Sequence, residues 1–345
     1  MLTQREINLE KIRREEKDFL DHHPLANLWQ SLEWFYWQKE IGQEAVLKFF
    51  YQEKKIIASC LSIKKKLPGG QSWIYIPRGP LLSQEKYLEP VLTELKKENF
   101  IYLQLELPTK YKLQSKKFLP TKKEINPSDT ILVDLKQTED QILSQMKPKG
   151  RYNVKLAQKK GVKIKESRDL DAFYQMLLDT KDRDGFGIHS RYYYQKMLDK
   201  LPGKLFLAFS KEEKLLAGAI LLIYKKTAIY YYGASSNQMR NLMAPYLLQW
   251  EMMRYAQKKG CENYDFLGIA PEGEADHPLR GVTNFKKKFG GQIISLEKGK
   301  IFIKKKILFR VLVFVRFLLR LAKLRGIISC ATFKRIFIRR RRSKS

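Results

Sequence analysis

Two stretches of the chain repeat one pattern. Residues 46–66, VLKFFYQEKKIIASCLSIKKK, and residues 205–226, LFLAFSKEEKLLAGAILLIYKK, each run apolar, turn polar around Glu and Lys, and run apolar again into lysines. Runs of this length about a short polar turn predict a β-hairpin. Downstream, residues 91–108, VLTELKKENFIYLQLELP, and residues 251–271, EMMRYAQKKGCENYDFLGIAP, open with helical spacing of their apolar positions. Each then passes a turn at Asn99 or Gly260 and finishes as a strand before a proline. The same order of elements twice predicts two α/β units of related topology in place of one large domain. The 345 residues suit two domains of ordinary size. The pattern places them at residues 1–137 and 138–300, with a distinct segment from 301 to 345.

The join between the units has its own pattern. In TEDQILSQMKPKGRYNVKLAQKKGVKIKES, Thr138 and Gln141 have the spacing of a capping box ahead of a helix carrying Ile142, Leu143 and Met146. Pro148, Lys149 and Gly150 break that helix, and a second one runs on to Gly161. Arg151, Lys155 and Lys159 recur every four residues and so share one helix face, with Lys147, Lys149 and Lys160 close by. Such a stripe is either a solvated face or a track for a polyanion.

From residue 301 the pattern changes to IFIKKKILFRVLVFVRFLLRLAKLRG. Wound as a helix from Lys306, it sets Lys306, Arg310, Arg316, Arg320 and Lys323 to one side, while Val311, Phe314, Val315, Leu318 and Leu321 cover the rest. Its uncharged runs fall short of the roughly 20 apolar residues that span a bilayer. The segment reads as an interfacial amphipathic helix with a polybasic tail at residues 339–342, or as a helix closing the core of one unit.

Charge sharpens this reading. With 67 Lys plus Arg against 36 Asp plus Glu, the net charge is +31, a balance that draws phosphates, nucleic acid or an anionic membrane surface. Cys60, Cys261 and Cys330 are isolated, with no Cys-x-x-Cys pair and no Cys/His cluster at zinc spacing. Neither a metal nor another cofactor is expected. The charged first twenty residues lack an apolar core before a cleavage site, so the expectation is a cytoplasmic protein. Histidines stand only at 22, 23, 189 and 277, and no Gly-x-Ser-x-Gly elbow occurs. Chemistry in such a chain falls to a substrate that arrives already activated.

The densest candidate is YDFLGIAPEGEADHPLRGVTNFKKKFGG, residues 264–291. A strand-like run over 264–269 enters a loop that leads to Phe285 and Lys286 and closes on Gly290 and Gly291. Loops after buried strands commonly carry chemistry; the plainer alternative is a basic surface connection.

Six stretches, taken in order, resemble the Fem family of non-ribosomal peptidyltransferases. They are LWQSLEWFYWQKEIG, YIPRGPLLS, MKPKGRYNVKLAQKKGVKI, TKDRDGFGIHSRYYYQKM, YYYGASSNQMRNLMAPYLLQWEMMRYA and the loop ending in Asn284, Phe285 and Lys286. Together they reach across the chain to about Ile301. The resemblance implies an α/β (α+β) fold of two tandem GNAT-like acyltransferase domains, followed here by the basic amphipathic helix. It implies an aminoacyltransferase that moves an amino acid from aminoacyl-tRNA to the stem peptide of a peptidoglycan precursor, either lipid II or UDP-MurNAc-pentapeptide, building the interpeptide bridge. Phe285 and Lys286 match a pair beside the reacting centre, with the lysine steadying the tetrahedral intermediate. Lys39 matches a lysine on precursor phosphate, and its arginine partner aligns with His189, with Arg191 two residues on. Tyr102, Tyr193 and Tyr232 match aromatic positions lining the precursor channel, and Glu106 an acidic position at a strand end in the first domain. On this reading Arg151, Lys155 and Lys159 track tRNA. The C-terminal helix meets the inner face of the cytoplasmic membrane, and the enzyme is expected as a monomer.

The chemistry implied agrees with what the sequence lacks. An aminoacyl ester is an activated acyl donor, which an amine attacks without a metal or an enzyme nucleophile. Positioning and charge stabilisation suffice. A GNAT acetyltransferase using acetyl-CoA shares the fold but cradles pyrophosphate on a Gly-rich turn opening a helix. The corresponding stretch here, RNLMAP from Arg240 to Pro245, lacks the glycine that permits close backbone approach. A non-catalytic RNA- or membrane-binding protein would need neither Phe285 nor Lys286.

Overall fold

The computed structural model describes residues 2–7, 12–108, 111, 113, 115–121, 124–184, 187–274 and 276–324. The chain forms two units, Met1–Glu124 with Glu297–Ser345, and Ile125–Leu296. In the first lie β1 (Leu2–Glu6), α1 (Arg14–His22), α2 (Leu32–Glu40), β2 (Glu44–Gln52), β3 (Lys55–Lys66), β4 (Ser72–Ile76), β5 (Leu81–Leu82), α3 (Leu88–Lys96), β6 (Tyr102–Leu105) and β7 (Phe118–Pro120). The second holds β8 (Asp129–Asp134), α4 (Glu139–Gln145), α5 (Pro148–Lys159), β9 (Lys163–Ser167), α6 (Leu170–Asp184), α7 (Arg191–Lys200), β10 (Gly203–Phe209), β11 (Leu215–Tyr224) and β12 (Thr227–Ser235). It continues through α8 (Ala244–Lys258), β13 (Asn263–Asp265), α9 (Arg280–Lys286) and β14 (Gln292–Ser295), before β15 (Lys300–Ile303) and α10 (Lys306–Leu324) return to the first.

The repeat read from the sequence is present in three dimensions. β2 and β3 form one hairpin and β10 and β11 the other. The first turns at Glu53 and Lys54, both at positive φ, the geometry that matches strand twist. Each sheet then makes one parallel crossover, β4–α3–β6 in the first unit and β12–α8–β13 in the second. The strand orders are β1-β2-β3-β4-β6-β15-β7, with β5 on β3, and β14-β8-β13-β12-β11-β10-β9. The mixed α/β class expected from the sequence is therefore correct.

The domain boundaries are not where the local pattern set them. The first falls at 124/125 rather than 137/138, because β8 pairs with β13 and β14 of the second sheet. The second falls at 296/297 rather than 300/301, and β15 enters the first sheet between β6 and β7. Local periodicity identifies a strand but not the partner that satisfies its backbone.

The capping box at Thr138 and Gln141 forms as expected, and Pro148 opens α5 as its first residue. Helix α10 begins at Lys306 and packs by Phe309 and Leu312 against Tyr102 and Trp73. Most of its other described apolar residues face outward: Ile307 is 77% exposed and Phe314 60%. Among the described residues no helix is long and apolar enough to cross a membrane. The tail at residues 339–342 and Cys330 lie outside the described residues, as do the side chains of Arg320 and Lys323.

At the end of its parallel pair the first unit is closed. Past Ile76 and Leu105 the two chains stay bonded, the Glu106 N–H to the Ile76 carbonyl and the Gly79 N–H to that of Glu106, both at 3.0 Å, while the buried Gln30 amide ties β3 to the segment after β4. Its Nε2 donates to the carbonyls of Pro77 (2.6 Å) and Leu61 (3.1 Å), while its Oε1 accepts from the Leu61 N–H at 2.8 Å. Replacing this side chain with an isosteric apolar one leaves buried backbone groups unpaired. Gln30→Leu is expected to lower unfolding free energy by about 2–4 kcal/mol, read as a lower urea midpoint with an unchanged slope.

Candidate active site

The second unit ends its parallel pair differently. β13 stops at Asp265, short of the run expected to reach Ile269. β12 stays paired with β11 out to Ser235. The chain after Asp265 instead bonds to β8, through Phe266 N–H to the Ile131 carbonyl and Ile269 N–H to that of Asp129. Between them Leu267 and Gly268 take positive φ, 48° and 42°. A left-handed leucine costs on the order of 1 kcal/mol. The Asp265 carboxylate offsets that by accepting the Leu267 N–H at 2.7 Å and the Thr130 hydroxyl.

The reason for the turn is Lys286. The lysine closes α9 rather than sitting in a loop, and it is 6% exposed. Its Nζ donates to the Gly268 carbonyl at 2.7 Å and to the Leu267 carbonyl. It also lies 5.6 Å from the centre of the Tyr230 ring on β12. The ammonium thus sits where the two parallel strands part. An ammonium carries three donors, and two are used on these carbonyls; the third has no protein acceptor among the described residues. Burial lowers the Lys286 pKa to about 8, against a smaller opposing pull from Asp265. At neutral pH the group remains mostly charged.

Helix α9 is held at the correct height by Thr283, whose hydroxyl accepts the Ala270 N–H at 2.7 Å and donates to the Leu279 carbonyl at 2.8 Å. Phe285 packs edge-on against Tyr246 (5.0 Å) and Phe289 (5.2 Å). It is therefore a wall of the core next to Lys286. Two glycines then turn the chain, Gly290 and Gly291, at φ 78° and 84°. A Cβ on Gly291 would stand 2.4 Å from the Leu132 carbonyl oxygen, so no other residue fits without displacement.

Tyr193, Tyr232 and His189 come together on another face of the same sheet. The Tyr193 and Tyr232 hydroxyls are 3.2 Å apart, and the His189 ring stacks on Tyr193 at 3.8 Å. Burial raises both tyrosine pKa values well above the usual range. A β-bulge explains how Tyr230 and Tyr232 serve different faces: Ile220 pairs with Tyr232 and Leu221 with Tyr230, leaving Tyr231 extra. Tyr230 accordingly packs on Phe266, and Tyr232 on Tyr194. Strict alternation would have put both on one side.

Other expected residues are engaged elsewhere. Arg191 forms a fork with Asp171, its NH2 2.9 Å from Oδ2, and this contact depresses the Asp171 pKa. Arg151 turns back to donate to the carbonyls of Leu143, Ser144 and Met146, closing the C-terminus of α4. Lys155 and Lys159 remain exposed on α5. In the first unit, Tyr102 is core, stacked on Trp73 at 5.0 Å and met edge-on by Phe309 of α10. Glu106 is buried and accepts the Tyr75 hydroxyl at 2.6 Å. Lys39 is exposed at the end of α2, 5.6 Å from the Phe35 ring centre. No signal in the sequence pointed to Tyr230, Asp265 or Thr283, whose roles arise only where α9 crosses the strand end.

Known proteins share this architecture. The model of the FemAB family matches residues 12–102, 103–211 and 204–301. A lipid II:glycine glycyltransferase of Staphylococcus epidermidis is 25% identical over 232 residues, covering 48% of this chain and 56% of that protein. The chain thus spans little more than half the length of that relative. One of the same name from Staphylococcus saprophyticus is 22% identical over 360 residues, covering 79% of this chain and 87% of that one. Among solved structures, the crystal structure of FemX superposes with a TM-score of 0.75 at 20% identity, covering 89% of this chain and 99% of that one. A tandem GNAT protein from the clavulanic acid biosynthesis pathway gives 0.54 at 11%, covering 87% and 98%. The likeness establishes the tandem GNAT-like fold.

The buried lysine has a pH signature. Its native pKa of about 8 lies below the 10.5 of a free lysine, so between these values the unfolded chain holds the extra proton and stability rises with pH. Between pH 7 and 9.5 the wild-type chain should gain about 2 kcal/mol over Lys286→Met, measured by urea unfolding at both pH values. A constant difference would place the amine in solvent.

Proposed function

Because the chain belongs to the FemAB family, we propose that it is an aminoacyltransferase, moving an aminoacyl group from its ester on tRNA to an amine on the stem peptide of a lipid-linked peptidoglycan precursor. The names of the staphylococcal relatives support the lipid-linked acceptor. One observation carries the reading: a buried ammonium with a donor to spare, at the point where two parallel strands part. The acceptor nitrogen attacks the ester carbonyl carbon and negative charge grows on the carbonyl oxygen. The third N–H of Lys286 meets that oxygen and stabilises it more in the transition state than in the ground state. The C–N bond forms, the ester C–O bond breaks, and the ribose hydroxyl leaves with the proton that the amine gives up. Phe285 keeps water from the ammonium.

The remaining residues divide by substrate. Lys155 and Lys159 face the RNA backbone, while Lys39 takes precursor phosphate. His189, Tyr193 and Tyr232 form an aromatic wall for the precursor. Arg151, Arg191 and Tyr102 serve the fold, and Glu106 shapes the first unit's strand end. Helix α10 rests on the inner membrane surface, where its outward apolar side meets lipid and Lys306 and Arg310 meet anionic headgroups.

Two experiments test these roles. With labelled aminoacyl-tRNA and lipid II, Lys286→Met should lower turnover on the order of a hundredfold to a thousandfold with little change in affinity for either substrate, while Lys287→Met stays close to wild type. Equal, small effects would remove Lys286 from the chemistry. For the membrane, the triple variant Val311→Ser, Phe314→Ser, Phe317→Ser should lose sedimentation with phosphatidylglycerol vesicles yet keep its unfolding midpoint. Undiminished sedimentation would make α10 structural only.

A further inference from the structure

Helix α5 carries an aromatic ring that the protein itself does not use. Tyr152 is 62% exposed, and neither its ring nor its hydroxyl meets a partner among the described residues. Lys149, Tyr152, Lys155 and Lys159 are all exposed, and their spacing sets them on one helix face about 15 Å long. These three lysines form no ion pair among the described residues. Elsewhere in the unit several cations are neutralised: Lys165 by Glu213, Lys204 by Glu166, Lys226 by Glu262 and Arg254 by Glu139. The face is thus a row of free ammonium groups with one free ring set among them.

Its position is also fixed. The Lys147 N–H donates to the Lys288 carbonyl at 3.1 Å, and a Cβ on Gly150 would stand 2.2 Å from that same oxygen. The N-terminus of α5 is therefore locked to the turn two residues past Lys286. A strand of nucleic acid laid along α5 would run toward the turn that follows Lys286.

We propose that Tyr152 is a stacking platform for an unpaired base of the RNA donor, with Lys149, Lys155 and Lys159 holding the flanking phosphates. The proposal rests on the aminoacyl-tRNA reading above and adds the part of the RNA recognised: its single-stranded end. Lysines alone hold any phosphate backbone, paired or not. A free aromatic ring adds affinity only where a base can leave its helix and lie on it. That distinction makes the ring informative, since a duplex offers it nothing.

The test is binding of intact protein to a short labelled single-stranded RNA and to a blunt duplex of the same sequence, by fluorescence anisotropy across a salt series. Tyr152→Ala should weaken the single strand about tenfold to a hundredfold, leave the duplex within about twofold, and leave the salt slope unaltered. Tyr152→Phe, which keeps the ring, should bind as wild type. Lys155→Gln with Lys159→Gln should flatten the salt slope by about 1.4 for the single strand and about 1.8 for the duplex. Single-strand affinity unmoved in Tyr152→Ala, or lost equally in Tyr152→Phe, would overturn the stacking role while the donor reading stood. Failure of the wild-type protein to bind either RNA would overturn both.

Discussion

The ammonium of Lys286, held on the carbonyls of Leu267 and Gly268, is the contact around which the second unit is arranged. Taking a charge out of water costs several kcal/mol unless its donors are met. Here the strand after Asp265 bends to meet them. The left-handed leucine, the Asp265 side chain that fixes it, and the Thr283 hydroxyl that holds α9 all follow from placing two carbonyls under one amine. Because the third donor is left over, the arrangement is stable without substrate yet incomplete. That is the condition for a group whose strongest interaction forms in a transition state.

The two units show how one topology yields a closed and an open strand end. Both make a hairpin, a crossover helix and a parallel partner strand. In the first, the two chains stay bonded past the parallel pair, and Gln30 joins β3 to the segment after β4 with no donor left over. In the second, the strands part and a charged residue arriving from a later helix bonds to the carbonyls after β13. A neutral amide and a buried ammonium differ little in volume but greatly in the field they project. On the proposed reading, that difference puts the chemistry in the second unit.

The net charge of +31 is unevenly free. Some cations on the second unit's surface are neutralised by neighbouring carboxylates or, like Arg151, closed onto helix carbonyls. Lys149, Lys155 and Lys159 of α5 carry no ion pair among the described residues and share one face, and Lys306 and Arg310 of α10 flank exposed apolar residues. On the proposed reading, RNA and membrane, two polyanionic surfaces of different kind, are addressed by different helices.

Periodicity along the chain sufficed for the two hairpins, the two crossover helices, the capped start of α4 and the onset of α10, because each depends on neighbours a few residues away. The six ordered motifs sufficed for the family. What they could not decide is partnership. The domain boundaries moved because β8 and β15 pair with strands distant in sequence. Arg151 left the polyanion stripe because helix spacing fixes the direction of a Cβ, not the destination of a guanidinium. Tyr230 and Tyr232 parted because one bulged residue reverses the alternation that the sequence alone would extend. The buried state of Lys286 lies furthest from view: a lysine among three lysines reads as solvent-exposed, and only the packing of α9 over the strand end removes water from one of them.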